Sequence, residues 1–533
     1  MVTLTEVAAM FVRVKKSGPR EYLQVVENRW EDGASRQRVV ATLGRRDQLQ
    51  ARGDLDGLIK SMSRFAERVR VVEGAAAGTL EAVECLSVGP ALVFERLWEE
   101  TGMRETLLDL LGSRRFEFPV ERAVFLTVLH RLFAPGSDRQ GERWRMDYRI
   151  EGTEKLHLHH LYRAMGWLGE NRRAIEESLF RRRRDLFTEA ELVFFDTTSI
   201  YFEGAGGETL GRRGNSKDHR PDRAQMVVGA VVDEAGRPFC APMWPGNRAD
   251  VTTLLPLVDD LRERFGLCRF SVVADRGMIS EATVKELEAL DPPVGYILGA
   301  RLRSVREVRE EVLSRTGRYR EVAPNLRVKE VRVGDRRYVV CVNPQEAERD
   351  AAVREAVLDS LRAKLGQGAS GLIGNKGFRR FLSVRRGAVE IDASKVERDA
   401  RYDGKFVLRT NLELAADEVA LRYKELWRVE RVFRDVKSLL TTRPVFHQCD
   451  ETICGHVFVS FLALVLLREL DERLHARGMR PEWADICRDL AALRETEVRQ
   501  DGQRYILRTP IRPAATAALR AVGVGIPPTV RPA

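Results

Sequence analysis

The chain has 533 residues, with 89 Lys plus Arg against 79 Asp plus Glu, a formal charge of +10. Hydrophobic residues make up 44% and charged residues 32%, which excludes a disordered chain, a collagen-like chain and a small disulfide scaffold. The positive excess permits a polyanionic partner such as nucleic acid without demanding one. At about 150 residues per domain, the length suits several domains or one domain with a large insertion. The seven cysteines include no CxxC pair, so a reducing cytoplasm is expected rather than a disulfide framework or zinc knuckle. The opening MVTLTEVAAMFVRVKK has no basic region before an apolar core, and no signal peptide is expected. The apolar run Val457–Leu467 stops at Arg468. It is too short for a bilayer and reads as a buried helix, so no membrane partner is expected.

In chain order, Phe11 to about Leu49 alternates apolar and polar residues around SGP and EDG turns. This predicts a small basic antiparallel sheet, either with a plain solvated face or serving as a DNA-binding appendage. From about Leu55 to Phe187 the periodicity is helical, as in Pro90–Leu111 and Pro119–Phe133. Arg181–Arg184 reads as a solvated helix face or a phosphate contact. His157, His159 and His160 lack a cysteine or carboxylate partner at metal-ligand spacing. The texture changes at Glu191. ELVFFDTTSIYF and AQMVVGAVVD read as strands, and RPFCAPMWPGN follows a turn. VTTLLPLVDDLRERFG then has helical spacing, and FSVVAD is a buried strand ending on an acid. SEATVKELEAL reads as a helix capped by Ser280, and VGYILGARL as another strand, which makes a mixed α/β order. Residues 303–401 read as an insertion. It holds strands in RYREVAPNLRVKEVRVGDRRYVVCVN, a helix at Pro344–Leu365 and a flexible link at Gly366–Gly377. A strand at Asp403–Asn411 leads into one long helix, roughly Ala416–Leu440. The tail from Thr509 is expected to pack loosely.

Asp196 interrupts the apolar strand residues Val193, Phe194 and Phe195. A carboxylate there must be paired, hydrogen-bonded or bound to a cation. Asp275 ends a second buried strand, and strand ends at one sheet edge commonly carry chemistry; a turn residue is the bland alternative. Tyr423, Glu430 and Lys437 are spaced seven residues apart. On a continuous helix they would project from one face, with Arg434 beside them. Leu426, Trp427 and Phe433 would anchor that helix, and a salt-bridged surface helix is the competing reading. Three converging carboxylates would hold magnesium, which prefers hard oxygen ligands. Two such ions would support phosphoryl transfer, nearby Arg and Lys would neutralise a phosphodiester backbone, and Tyr423 would meet a phosphate or an unpaired base.

These residues resemble the DDE transposases of bacterial insertion sequences, in the long subgroup of the IS-four-type family marked by Tyr-x2-Arg-x3-Glu-x6-Lys. Tyr423, Glu430 and Lys437 fall on that register; the Arg position holds Leu426, with Arg428 two residues on. FFDTTSIYFEG, GNSKDHRPDRAQMVVGAVVDEAGRPF, WPGNRADVTTL, VVADRGMIS and YDGKFVLRTN resemble the family's blocks in order, and RPVFH with CGHVFVSFLALVL follows the signature. FVRVKKSGPREYLQVVENRW is similar to the start of the long subgroup. The resemblance implies an α/β fold with an RNase H-like catalytic domain over 189–302 and 402–470, carrying a β-rich insertion at 303–401. Before it would come a β region at 1–50 and a helical region at 51–188, for DNA binding or dimerisation; a C-terminal helical region and tail would follow at 471–533. It further implies Asp196, Asp275 and Glu430 as catalytic residues holding two Mg²⁺ ions, for which Mn²⁺ substitutes, and Tyr423, Arg428, Arg434 and Lys437 as DNA-binding residues. The implied reaction is cut-and-paste transposition: strand cleavage at the element's ends, then strand transfer. The implied partners are double-stranded DNA, as terminal inverted repeats and target, and a second copy in a synaptic homodimer. The implied location is the bacterial cytoplasm at the nucleoid. The alternatives are an inactive, domesticated DNA-binding protein and an RNase H-like nuclease acting on structured DNA.

Overall fold

The computed structural model describes residues 10–31, 34–63, 80–183, 192–278, 280–365, 376–385, 388–500 and 503–533. The chain divides into two compact units. One comprises Met1–Ser87, Ala492–Ile511 and Ile526–Ala533; the other comprises Val88–Ala491 and Arg512–Gly525.

In the first unit, the alternating N-terminal pattern forms β1 (Met10–Ser17), β2 (Arg20–Glu31) and β3 (Ala34–Arg45), an antiparallel sheet in that order. Leu23 and Val26 of β2 are buried, while Val12, Val14 and Val40 are exposed. Asp32 and Gly33 of the expected EDG turn lie outside the described residues. β4 (Glu81–Ser87) belongs to a second sheet of this unit.

The second unit is built on a large mixed sheet. Its strands are β5 (Leu192–Tyr201), β6 (Gln225–Val232), β7 (Pro238–Cys240), β8 (Met243–Pro245), β9 (Ser271–Ala274) and β10 (Gly295–Ala300). They continue with β11 (Arg320–Ala323), β12 (Leu326–Val333) and β13 (Arg336–Val342). β14 (Leu382–Arg385) and β15 (Ala388–Ile391) form a separate hairpin before β16 (Lys405–Thr410). The sheet order is β11-β12-β13-β16-β10-β9-β5-β6-β7, with β8 beside β6. β9 runs parallel to both β5 and β10; the other pairs are antiparallel. The strands expected inside the insertion therefore extend this same sheet, β13 pairing with β16. Residues 366–375 of the expected flexible link lie outside the described residues.

One face of the sheet is covered by the helices Leu254–Phe265 and Glu281–Ala289. Leu257, Val258, Leu261 and Leu287 pack with Val193, Phe195, Val272 and Ala274. As expected, Ser280 caps the second helix, its hydroxyl accepting from the Thr283 N–H at 3.1 Å. The helices Val120–Phe133, Leu158–Arg183 and Asp450–Ala476 pack on one another. The last two cross backbone against backbone. A Cβ added at Gly169 would lie 1.9 Å from the Glu451 carbonyl oxygen, and one added at Gly455 2.0 Å from that of Met165. Among the described residues, Asp450–Ala476 is the helix long and apolar enough to cross a membrane, and 89% of its apolar window is buried within the protein. Val457–Leu467 is thus interior, as its composition predicts. The arginine run closes Leu158–Arg183; Arg184 lies outside the described residues.

Three expectations are corrected. Pro90–Leu111 is two helices, Gly89–Glu100 and Met103–Leu111, because Gly102 takes a left-handed φ of 75°, a conformation that turns the chain out of a helix. The tail does not pack loosely: the helix Pro513–Ala521 buries Ala515, Ala518 and Leu519. Its small side chains let it lie close against Trp483–Ala491 and Asp450–Ala476. In the first unit, β17 (Arg494–Gln500), β18 (Gln503–Arg508) and β19 (Val530–Pro532) complete a sheet of order β19-β18-β17-β4. These strands lie in a stretch expected to be helix and tail.

Candidate active site

The parallel register of β5 and β9 fixes the two aspartates. The last ladder pair is Phe195 with Ala274, and Asp196 and Asp275 are each the next residue. Strand alternation turns Asp196 away from the face that buries Phe195. Burial, opposed by the Lys217 ammonium and aided by the Asp275 and Asp250 carboxylates, pushes the Asp196 carboxyl up to about 6. One of its oxygens accepts the Thr197 N–H at 2.7 Å. Asp275 accepts from the Tyr423 hydroxyl at 3.1 Å. Burial and that carboxylate push the Tyr423 phenol well above its usual range, so it stays a hydrogen-bond donor.

A second layer of charge surrounds the pair. Lys217 donates to the Thr197 carbonyl at 2.8 Å and hydroxyl at 2.9 Å. Its Nζ lies 3.1 Å from Asp250 Oδ2 and 4.0 Å from Asp196 Oδ1. The Thr197 hydroxyl donates to Asp250 Oδ1 at 2.7 Å. Lys217 and Asp250 line a cavity of about 320 Å³ with Arg248 and Arg301. A second cavity of about 640 Å³ lies along Asp275, Arg276, Arg301, Arg303 and Lys405. Arg301 borders both, its guanidinium donating to the Arg276 and Gly277 carbonyls at 3.1 and 3.3 Å.

The single helix expected over Ala416–Leu440 is corrected to three segments: Ala416–Lys424, Trp427–Arg434 and a π-helical turn at Asp435–Leu439. At the break the bonds span three residues, Arg428 N–H to Glu425 O and Val429 N–H to Leu426 O. The cause is tertiary. Ala416–Lys424 packs on β9, β10, β12 and β13, whereas Trp427–Arg434 packs on β5 and β6, so the two segments serve different strands. Leu426 and Phe433 are buried as expected, but Trp427 is 52% exposed, its ring facing the Arg428 guanidinium at 6.0 Å.

Tyr423 and Lys437 therefore reach separate partners. Lys437 donates to Asp218 at 2.7 Å, and Arg443 pairs with the same buried carboxylate. Burial pushes the Lys437 ammonium below its usual value, against the pull of Asp218. Arg428 turns to the Glu234 carbonyl and Glu425, and Arg434 is exposed. Glu430 is exposed and makes no side-chain hydrogen bond or ion pair among the described residues. Its helix packs on β5, the strand that carries Asp196, and on β6. Asp196 and Asp275 are thus brought together, and Glu430 stands apart from their carboxylates. Among the described residues no three His, Cys, Asp or Glu side chains converge on one metal-sized point.

The chain leaving the π-turn is clamped. Thr441 holds a φ of 45°, a strained value for a β-branched residue. Arg131, fully buried on the helix Val120–Phe133, donates to the Leu440 and Thr441 carbonyls at 3.4 and 3.5 Å. Its other nitrogen lies 3.3 Å from His456 Nδ1, and His456 Nε2 lies 3.0 Å from the Thr442 carbonyl. Burial beside Arg131 drives the His456 imidazole well below its usual value, consistent with a neutral ring accepting at Nδ1 and donating at Nε2.

Sequence reasoning missed Lys217, Asp218 and Asp250. The available signal was a Lys-Asp pair in a polar loop, GNSKDHRPD, and an acid in GNRAD. Loops have no periodicity to say which way a charge faces.

Residues 188–466 match the family model for the transposase DDE domain, and residues 11–76 match that for the N-terminal domain of IS1634 family transposases. No curated protein matches the chain. Among solved structures, the piggyBac transposase synaptic complex with hairpin DNA, determined by cryo-EM, is similar over 76% of this chain and 79% of its own. The identity is 11% and the TM-score 0.38.

Proposed function

The chain belongs to the DDE transposases and is a DNA transposase, and from this we propose that Asp196, Asp275 and Glu430 carry strand cleavage at insertion-element ends and strand transfer into target DNA. The observation supporting this reading is the adjacency of Asp196 and Asp275, one step beyond the Phe195–Ala274 pair. Both offer hard oxygen donors, and Asp196 carries the cost of burial and of neighbouring like charge. A divalent cation would relieve both, so the pair fits the metal on which DDE domains depend. Asp196 and Asp275 would hold it, joined by Glu430 from the helix packed over β5 and β6, with Mg²⁺ as the natural ion and Mn²⁺ as a substitute. When bound, the metal supplies polarisation of the phosphodiester and activation of the attacking oxygen.

The remaining roles fall to the chain's own side chains. Tyr423 holds the Asp275 carboxylate by its hydroxyl. Lys437 and Arg443 hold Asp218, whose chain neighbour Lys217 lies against Asp196. Arg434, exposed on the signature helix, meets a DNA phosphate, while Arg428 fixes the β6–β7 turn. The finer assignment is to the long subgroup of the IS-four-type family, working as a synaptic homodimer on double-stranded terminal inverted repeats.

The test is incubation of the full chain with labelled linear DNA ending in the element's terminal repeat, with Mg²⁺ or Mn²⁺. Cleavage at the repeat boundary and joined products are expected. Asp196→Asn, Asp275→Asn and Glu430→Gln should each slow cleavage by about a thousandfold or more, the scale on which losing a catalytic group is felt. Wild-type rates in all three variants would overturn the site. Cleavage indifferent to the repeat, with no joining, would identify a nuclease instead.

A further inference from the structure

We infer that Lys217 and Asp250 form a built-in counter-ion pair that sets the metal affinity of the Asp196–Asp275 site; this rests on the metal-binding reading above. The Lys217 ammonium has three donors, and three oxygens surround it at hydrogen-bonding distance: the Thr197 carbonyl at 2.8 Å, the Thr197 hydroxyl at 2.9 Å and Asp250 Oδ2 at 3.1 Å. Two hydrogen bonds to Thr197 and the ion pair with Asp250 thus hold it while it stands 4.0 Å from Asp196 Oδ1. Asp250 is itself held, accepting from the Thr197 hydroxyl at 2.7 Å. It also adjoins the loop after Asp275: a Cβ added at Gly277 would lie 3.5 Å from Asp250 Oδ2.

Two carboxylates, those of Asp196 and Asp250, thus share one tethered cation, with the Asp275 carboxylate acting on Asp196 from the neighbouring strand. The ammonium lowers their mutual repulsion and competes with an incoming divalent ion for the field of Asp196. Asp250 draws that ammonium to its own side and keeps it from closing on Asp196. The two residues act in opposite directions. Without the ammonium, the carboxylates attract a divalent ion more strongly; without the Asp250 charge, Lys217 swings toward Asp196 and obstructs the ion. Both are positioning residues, acting through Asp196.

The experiment is titration of the full chain with Mn²⁺ in the absence of DNA, following free Mn²⁺ by electron paramagnetic resonance. Lys217→Met keeps the apolar stem and should tighten Asp196-dependent binding about tenfold, and Asp250→Asn, which can still accept from Thr197, should weaken it about tenfold, the scale of one unit charge a few ångströms from the ion when water screens the pair. Lys217→Arg, which retains the charge, should restore the wild-type affinity. Thermal melting of each variant confirms that it is folded.

If Lys217→Met weakens binding, or if Asp250→Asn abolishes it as Asp196→Asn does, the pair is something other than a counter-ion and the inference is overturned. Asp196-dependent binding that neither variant alters overturns the inference alone. If the wild type shows no Asp196-dependent Mn²⁺ binding, the metal reading itself falls and takes this inference with it.

Discussion

Tyr423 reaches Asp275 only because position 299 has no side chain. A Cβ added at Gly299 would lie 2.6 Å from the Tyr423 hydroxyl and 3.0 Å from the Arg276 amide nitrogen. Tyr423 is also seated by Phe406, whose ring lies nearly parallel at 5.9 Å between centroids. The hydroxyl donates to a carboxylate, a bond worth about 1.5–3 kcal/mol. Tyr423→Phe should therefore slow metal-dependent cleavage by about tenfold or more, and Gly299→Ala should do likewise by displacing the ring, at an overpacking cost to stability of about 1–3 kcal/mol. A Tyr423→Phe chain that cleaves at the wild-type rate would show that the bond serves only the fold.

At the scale of elements, the crossing of Leu158–Arg183 over Asp450–Ala476 rests on two glycines. With Met165 O only 2.0 Å from a Cβ at position 455, the helices must separate to admit any side chain. Overpacking of this kind costs about 1–3 kcal/mol. Gly455→Val should lie at the upper end, read as a lowered urea midpoint; an unchanged midpoint would mean that the crossing yields freely. Much of the sheet was legible in the sequence. LVFF, QMVVGAVV and SVVA are runs of apolar and β-branched residues, which buried strands require, and Asp196 and Asp275 stood out because each met such a run. The break at Glu425–Leu426 was illegible. The seven-residue spacing suits a straight helix, and only the need to pack on two groups of strands imposes the interruption. The Lys217–Thr197–Asp250 arrangement escaped for a related reason, since its members come from a strand and two loops.

Across the whole molecule, a formal charge of +10 is a small excess on 168 charged residues, 89 basic and 79 acidic. Where the charge sits matters more than its sum. The two cavities beside the aspartates are bordered by Lys217, Arg248, Arg276, Arg301, Arg303 and Lys405. If a DNA backbone runs along them, affinity should fall steeply with salt, by about 0.9 log units per log unit of salt for each phosphate neutralised. A slope steeper than about −3 is expected for this many cations; a flat dependence, measured by fluorescence anisotropy, would exclude a backbone-dominated interface. The Arg131 clamp has a wider consequence. Arg131 lies upstream of residues 188–466, yet it secures Leu440 and Thr441 within them. A gene fragment cut to the DDE region would encode every acid and discard the guanidinium that locks the exit of the signature helix, along with the helix that covers Gly455. The chemistry and its scaffold are inherited together, so the DDE region is no portable cassette.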